Sequence, residues 1–237
     1  MKIGILCCGH TMPEVEGKHG DFPEMFENLL VGHGFSYVSY DVEHMQFPQD
    51  IHTCDGWLLT GSKHGVYEDH PFIAPLEAFI RDAYDAHVPV VGICFGHQLI
   101  AQALGGRVEK FDDGWALGLT SYDFEGMGEM RLNAWHQDQV LDPPKGAKTV
   151  ASNAFCRNAA LVYDNRILTI QPHPEFGGPI IADYAALRRG TADYRDDLMD
   201  QATRRSVQPD NNKELGQQIG SFFKASIAER DLRATGE

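Results

Sequence analysis

Between Ile3 and Leu104 short apolar runs alternate with stripes of helical period, and this alternation constrains the fold more than any other feature of the chain. The runs are Ile3 to Cys7, Phe35 to Tyr40, Gly56 to Thr60 and Val88 to Ile93. Between them Phe22, Met25, Phe26, Leu29 and Leu30 recur at i, i+3, i+4, i+7 and i+8, and Leu76, Phe79, Ile80, Ala83 and Tyr84 repeat the pattern. That spacing puts apolar side chains on one face of a helix. Asp21 with Glu24 reads as a capping box, and Pro75 suits a first turn. Strands separated by helices run parallel, so the expected fold is a three-layer α/β structure with a mostly parallel open sheet and flanking helices. Such sheets bind ligands at the carboxyl ends of their strands.

From Arg107 to Arg157 the helical period disappears. Segments such as Gly118 to Phe124 and Met130 to Trp135 predict a small antiparallel β region. Ala160 to Tyr163 and Ile167 to Gln171, split by Asp164-Asn165, predict a hairpin. Helical stripes return from Pro179, and the last, Leu215, Ile219, Phe222, Phe223 and Ile227, is expected to be capped near Asn211. No linker divides the chain, so residues 1–237 are expected to form one domain with 191–237 as a helical extension packed on it. The tail beyond Glu229 is expected to fray.

Gly92-Ile93-Cys94-Phe95-Gly96 joins an apolar strand to the helical pattern that begins at His97. A strand that turns sharply into a helix, with glycines on both sides of one thiol, has the form of a nucleophile elbow. Cys94 is the candidate nucleophile; the glycines are expected where the backbone is strained and where neighbouring chain passes close. The hairpin leads into Gln171-Pro172-His173-Pro174-Glu175, whose prolines hold the chain extended. Residues two apart then face the same side, so His173 and Glu175 share a pocket. A thiol, a base and a carboxylate that orients the base make a complete catalytic set.

The net charge of −14 argues against a phosphate-backbone partner, so nucleic acid is excluded. No run is long and apolar enough for a membrane span, and the first residues lack a cleavage pattern. Five cysteines, two of them adjacent, do not form a disulfide framework, which points to a reducing, cytoplasmic setting. Cys7, Cys8 and Cys54 are expected buried near strand ends, and Cys156 in a loop. Eleven histidines include no His-x-x-His or His-Glu-x-x-His spacing, so neither a metal nor another cofactor is predicted. Glu14 to Glu16 and Asp112-Asp113 read as solvated acidic clusters.

Gly92-Ile-Cys-Phe-Gly-His-Gln98, Ala103-Leu-Gly-Gly106, Trp135-His-Gln-Asp138 and Pro172-His-Pro-Glu175, in this order, resemble the class I glutamine amidotransferases over nearly the whole chain. Gly20-Asp-Phe-Pro-Glu-Met-Phe26 and Gly65-Val-Tyr-Glu-Asp-His-Pro71 resemble the stand-alone members similar to the amidotransferase part of GMP synthase. The resemblance implies a flavodoxin-like sheet and a Cys94, His173, Glu175 triad. It implies oxyanion donors at Phe95 and in the Gly61-Ser62 loop, and substrate contacts from Gln98, Trp135 and His136. Ser62 stands where a second glycine is usual, Lys63 where proline is usual, and Trp135 where serine is usual.

The expected activity is therefore hydrolysis of the glutamine side-chain amide through a γ-glutamyl thioester, releasing ammonia and glutamate. The ammonia would pass to a synthetase partner in trans or to another acceptor, since no synthetase is read in this chain. Two alternatives stand beside it: a γ-glutamyl peptidase acting on glutathione-like conjugates, whose relatives similarly carry Thr-Gly-Ser, and a non-catalytic binding or regulatory module on the same scaffold.

Overall fold

A computed structural model describes residues 1–235. The elements are β1 (Lys2–Cys7), α1 (Pro13–His19), α2 (Phe22–Leu29), β2 (Ser36–Asp41), β3 (Gly56–Leu59), α3 (Ile73–Asp85), β4 (Val90–Ile93) and α4 (Phe95–Ala103). They continue as β5 (Arg107–Lys110), β6 (Ala116–Phe124), β7 (Gly128–His136), β8 (Asp138–Asp142), β9 (Ala147–Ser152), β10 (Ala160–Tyr163), β11 (Ile167–Ile170), α5 (Gly178–Arg188), α6 (Asp196–Arg205) and α7 (Asn212–Thr235).

The main sheet has nine strands in the order β2-β1-β3-β4-β11-β10-β9-β6-β7. From β2 to β11 every neighbour is parallel, as the alternation predicts; from β11 to β7 every neighbour is antiparallel. The antiparallel region thus extends the parallel sheet, and β5 with β8 forms a small separate ladder. One core lies under α1, α2, α5, α6 and α7, where Phe26, Ile181, Met199 and Phe223 are buried. The other lies under α3 and α4, around Leu76, Ile80, Leu99 and Ile100. Helices on both faces complete the three layers and leave the strand ends open as the place for a site.

Three local expectations hold. The capping box forms, with the Asp21 N–H donating to Glu24 Oε2 at 3.1 Å. The hairpin closes through Arg166 N–H to Tyr163 C=O at 2.8 Å. Its turn puts Asp164 and Asn165 at φ 47° and 57°, a left-handed pair that Asp and Asn tolerate best among residues with a side chain. All of Cys7, Cys8, Cys54 and Cys156 are buried free thiols, as is Cys94.

Glu14 and Glu16 are exposed, as expected, and stand in the first turn of α1, where they favour the positive end of the helix while Val15 is buried. One expectation fails. The chain past Glu229 does not fray through 235. Arg230 donates to Asp55 C=O at 2.9 Å and Arg233 pairs with Glu229 one turn back, which carries α7 to Thr235; residues 236–237 lie outside the described chain.

Candidate active site

Cys94 sits between β4 and α4 with φ 52° and ψ −101°. A non-glycine residue in that region costs on the order of 1–3 kcal/mol and persists only where the surroundings over-determine it. Here they do. Cys94 N–H donates to Ile170 C=O at 2.9 Å, Gly96 N–H to Thr60 C=O at 3.2 Å, and Gln98 N–H to Cys94 C=O at 3.1 Å. The glycines serve close approach alone: neither Gly92 nor Gly96 has a positive φ, so the strain expected of them resides on Cys94. A Cβ on Gly92 would lie 2.6 Å from the Gly96 carbonyl carbon, and one on Gly96 would lie 2.7 Å from Leu59 Cβ.

Ile93 and Ile170 are paired across β4 and β11, so the chain leaving β11 starts beside the elbow. His173 is then fixed by its N–H to Asn133 C=O of β7 at 2.8 Å. Its Nδ1 meets Glu175 Oε1 at 2.6 Å, and both residues are buried. The ring stacks on Phe176 with centroids 4.2 Å apart and planes nearly parallel. On the ring's edge Gly61 leaves no room for a side chain, since a Cβ there would lie 2.8 Å from His173 Cε1.

Electrostatics complete the arrangement. Burial pulls the His173 pKa down, but the Glu175 charge, the Cys94 charge and hydrogen bonds to both raise it to about 10. The imidazole thus lies between the Cys94 sulfur and the Glu175 carboxylate, both of which favour its protonated form. Burial first, with nearby acidic groups second, pushes Cys7 up to about 12, and burial likewise raises Cys8, Cys54 and Cys156.

The Phe95 N–H is at the first position of α4, where no earlier carbonyl of its own helix reaches it. Gly61 and Ser62 lie after β3, and Gly61 borders His173. The Gly61 carbonyl accepts from Thr60 Oγ1 at 3.0 Å, and Ser62 Oγ accepts from His64 N–H at 3.2 Å.

The three residues expected at the substrate are placed differently from one another. Gln98 is buried, and its amide nitrogen donates to Asp138 C=O at 3.0 Å and Gln171 Oε1 at 3.1 Å. His136 is buried with Nδ1 against Asp138 C=O at 3.2 Å; burial, with the nearby His173 charge, pulls its pKa to about 3, so the ring is neutral. Trp135 packs on Tyr184 at 5.2 Å and Tyr194 at 5.9 Å, in an aromatic group reaching Phe176 through Tyr184.

Residues that sequence reasoning missed tie these pieces together. Tyr67 hydrogen-bonds Asp138, linking the loop after β3 to the start of β8. Asn133 and Asn212 both donate to Phe176 C=O, at 2.7 and 2.8 Å, and so hold the ring that carries His173. Tyr67 and Asp138 lie in recognisable segments, but their contact spans too much chain for local spacing to reveal.

The profile of the class-I glutamine amidotransferases matches residues 24–179. The chain belongs to this family. It is 29% identical over 243 residues to a glutamine amidotransferase-like protein of Schizosaccharomyces pombe, covering 93% of this chain and 98% of that one. Gamma-glutamyl peptidase 4 of Arabidopsis thaliana is 31% identical over 180 residues, 70% of this chain and 72% of the peptidase. The fold also matches the crystal structure of a glutamine amidotransferase from Methylobacillus flagellatus, with a TM-score of 0.76 and 22% identity over 97% of this chain and 94% of that one.

Proposed function

We propose that this class-I glutamine amidotransferase hydrolyses a γ-glutamyl amide through a covalent thioester on Cys94. The observation that carries the reading is the buried His173 ring, paired through Nδ1 with Glu175 Oε1 at 2.6 Å and lying beside the Cys94 sulfur. A thiolate opposed by a fixed imidazolium is a nucleophile and a general acid already in place. The thiolate attacks the side-chain carbonyl carbon of glutamine. The resulting oxyanion is held by the Phe95 N–H and a donor of the Gly61-Ser62 loop. His173 gives its proton to the leaving nitrogen, the C–N bond breaks, and ammonia departs. Neutral His173 next takes a proton from water, whose oxygen attacks the thioester carbon and releases glutamate. Glu175 keeps the ring in one orientation throughout and stabilises its charge.

We assign contact with the amino-acid end of the substrate to Gln98, Trp135 and His136. Ammonia released in this way needs an electrophilic acceptor, and we assign that step to a synthetase partner in trans. A second reading, cleavage of γ-glutamyl peptides, is favoured by Thr60-Gly61-Ser62 and by the likeness to the Arabidopsis peptidase. Turnover of free glutamine compared with γ-glutamyl dipeptides ranks the two. Cys94→Ala tests both: a folded variant with no hydrolysis of either substrate is the expected result, and retained turnover overturns the thioester.

A further inference from the structure

The segment from Gly61 to Phe72, between β3 and α3, carries a second cluster of chemically active side chains. His64, Glu68 and His70 each offer one ligand atom, all within 4.8 Å of one another. The two rings lie 3.9 Å apart by their centroids. Glu68 Oε2 is 2.8 Å from His70 Nε2 and 3.8 Å from His64 Nδ1.

The other nitrogen of His64 is already engaged. Its Nε2 meets Glu43 Oε1 at 2.8 Å, and the same oxygen pairs with Lys63 at 3.2 Å. A carboxylate behind an imidazole takes the N–H of one ring nitrogen and turns the lone pair of the other toward a metal. With Nε2 engaged by Glu43, Nδ1 is the ring nitrogen turned toward the Glu68 carboxylate, 3.8 Å away, and a cation between the two would be held by both. Phe72, buried, lies 5.8 Å from the His64 ring and 6.0 Å from that of His70, giving the cluster an apolar floor.

We propose that His64, Glu68 and His70 bind a divalent transition-metal ion such as zinc, cobalt or nickel. Two imidazole nitrogens and one carboxylate oxygen suit these ions, whereas magnesium and calcium take oxygen ligands. Three protein ligands leave a fourth, tetrahedral position to water. The spacing His64-x-x-x-Glu68-x-His70 matches no standard ligand pattern, which is why the sequence predicts no metal. The nearby group of His10, Glu43 and His44 is a poorer host: His10 already pairs with Asp21 at 2.5 Å and Asp41 at 3.3 Å, and His44 with Asp41 at 2.9 Å.

The ion has a structural consequence at the cleft. Its segment begins at Gly61, against His173, includes Tyr67, which bonds Asp138, and ends at Phe72, whose ring lies 5.9 Å from that of Phe95. Binding therefore ties down the rim of the active site without entering the reaction.

The test is titration of the chelator-stripped full-length protein with Co²⁺ and then Zn²⁺. One ion per chain is expected, with the visible absorption of tetrahedral cobalt and without the near-ultraviolet charge-transfer band of a thiolate ligand; Zn²⁺ should raise Tm. Glu68→Gln, at an exposed position, and His70→Gln should each weaken binding by about 100-fold or more, and Glu43→Gln by roughly 10-fold. No saturable binding, a thiolate band, or an affinity unchanged by Glu68→Gln and His70→Gln would overturn the proposal.

Discussion

Glu175→Gln isolates the role of one charge at the centre of the site. The substitution keeps the volume of a side chain whose carboxylate is wholly buried and lies 2.6 Å from His173 Nδ1. It removes the largest influence raising the His173 pKa, while the opposing influence, burial, remains. His173 in the variant is then a weaker base and a poorly oriented ring. Loss of the orienting carboxylate in comparable triads lowers kcat by up to about 10⁴-fold, and general acid–base catalysis contributes about 10² to 10⁴. We expect a fall in that range, equivalent to roughly 3–5 kcal/mol in the barrier, with KM little changed.

The pH dependence gives an independent signature. His173 holds its proton up to about 10 in the folded protein, against an ordinary value of 6.5, so folding strengthens proton binding. The stability this contributes is complete below about pH 6.5 and is lost as the pH rises through about 10. In Glu175→Gln the alkaline limb of kcat/KM should move to lower pH. Removing one member of a buried pair costs on the order of 3–5 kcal/mol, so the variant should also unfold at lower temperature near neutrality, with the gap closing toward pH 10. The assay is γ-glutamyl amide hydrolysis across pH, with calorimetric Tm at the same points. A variant with an unmoved alkaline limb and near-normal kcat would refute the electrostatic argument.

Two further substitutions probe the supports of the site. Gly61→Ala puts a methyl group 2.8 Å from His173 Cε1 and 3.4 Å from Phe22 Cζ, so kcat should fall at least tenfold while overpacking costs about 1–3 kcal/mol in denaturant unfolding. Arg230→Ala removes the bond to Asp55 C=O; hydrogen exchange should speed up in residues 230–235 while glutaminase activity is unchanged.

The parts of this protein that could be read from its sequence are those with short-range causes. The elbow around Cys94, the Asp164-Asn165 turn and the capping box at Asp21 each depend on a few neighbouring residues, and each forms where expected. His173 and Glu175 were legible because the prolines at 172 and 174 fix their relative direction. What escaped has long-range causes. The antiparallel strands join the parallel sheet through the β11–β10 ladder, a matter of topology that period alone does not encode. The end of α7 is held by Asp55, and Gln98 is occupied by Asp138 and Gln171, partners far away in the chain. Trp135 likewise finds Tyr184 and Tyr194 only once α5 has docked.

An alkylating glutamine analogue followed by peptide mass mapping tells whether Cys94, alone among the five thiols, is the nucleophile. A single adduct is expected on Cys94, slowed by competing glutamine and absent in Cys94→Ala. Equal modification of Cys7, Cys8, Cys54 or Cys156, or no glutamine-protected adduct at Cys94, would contradict it.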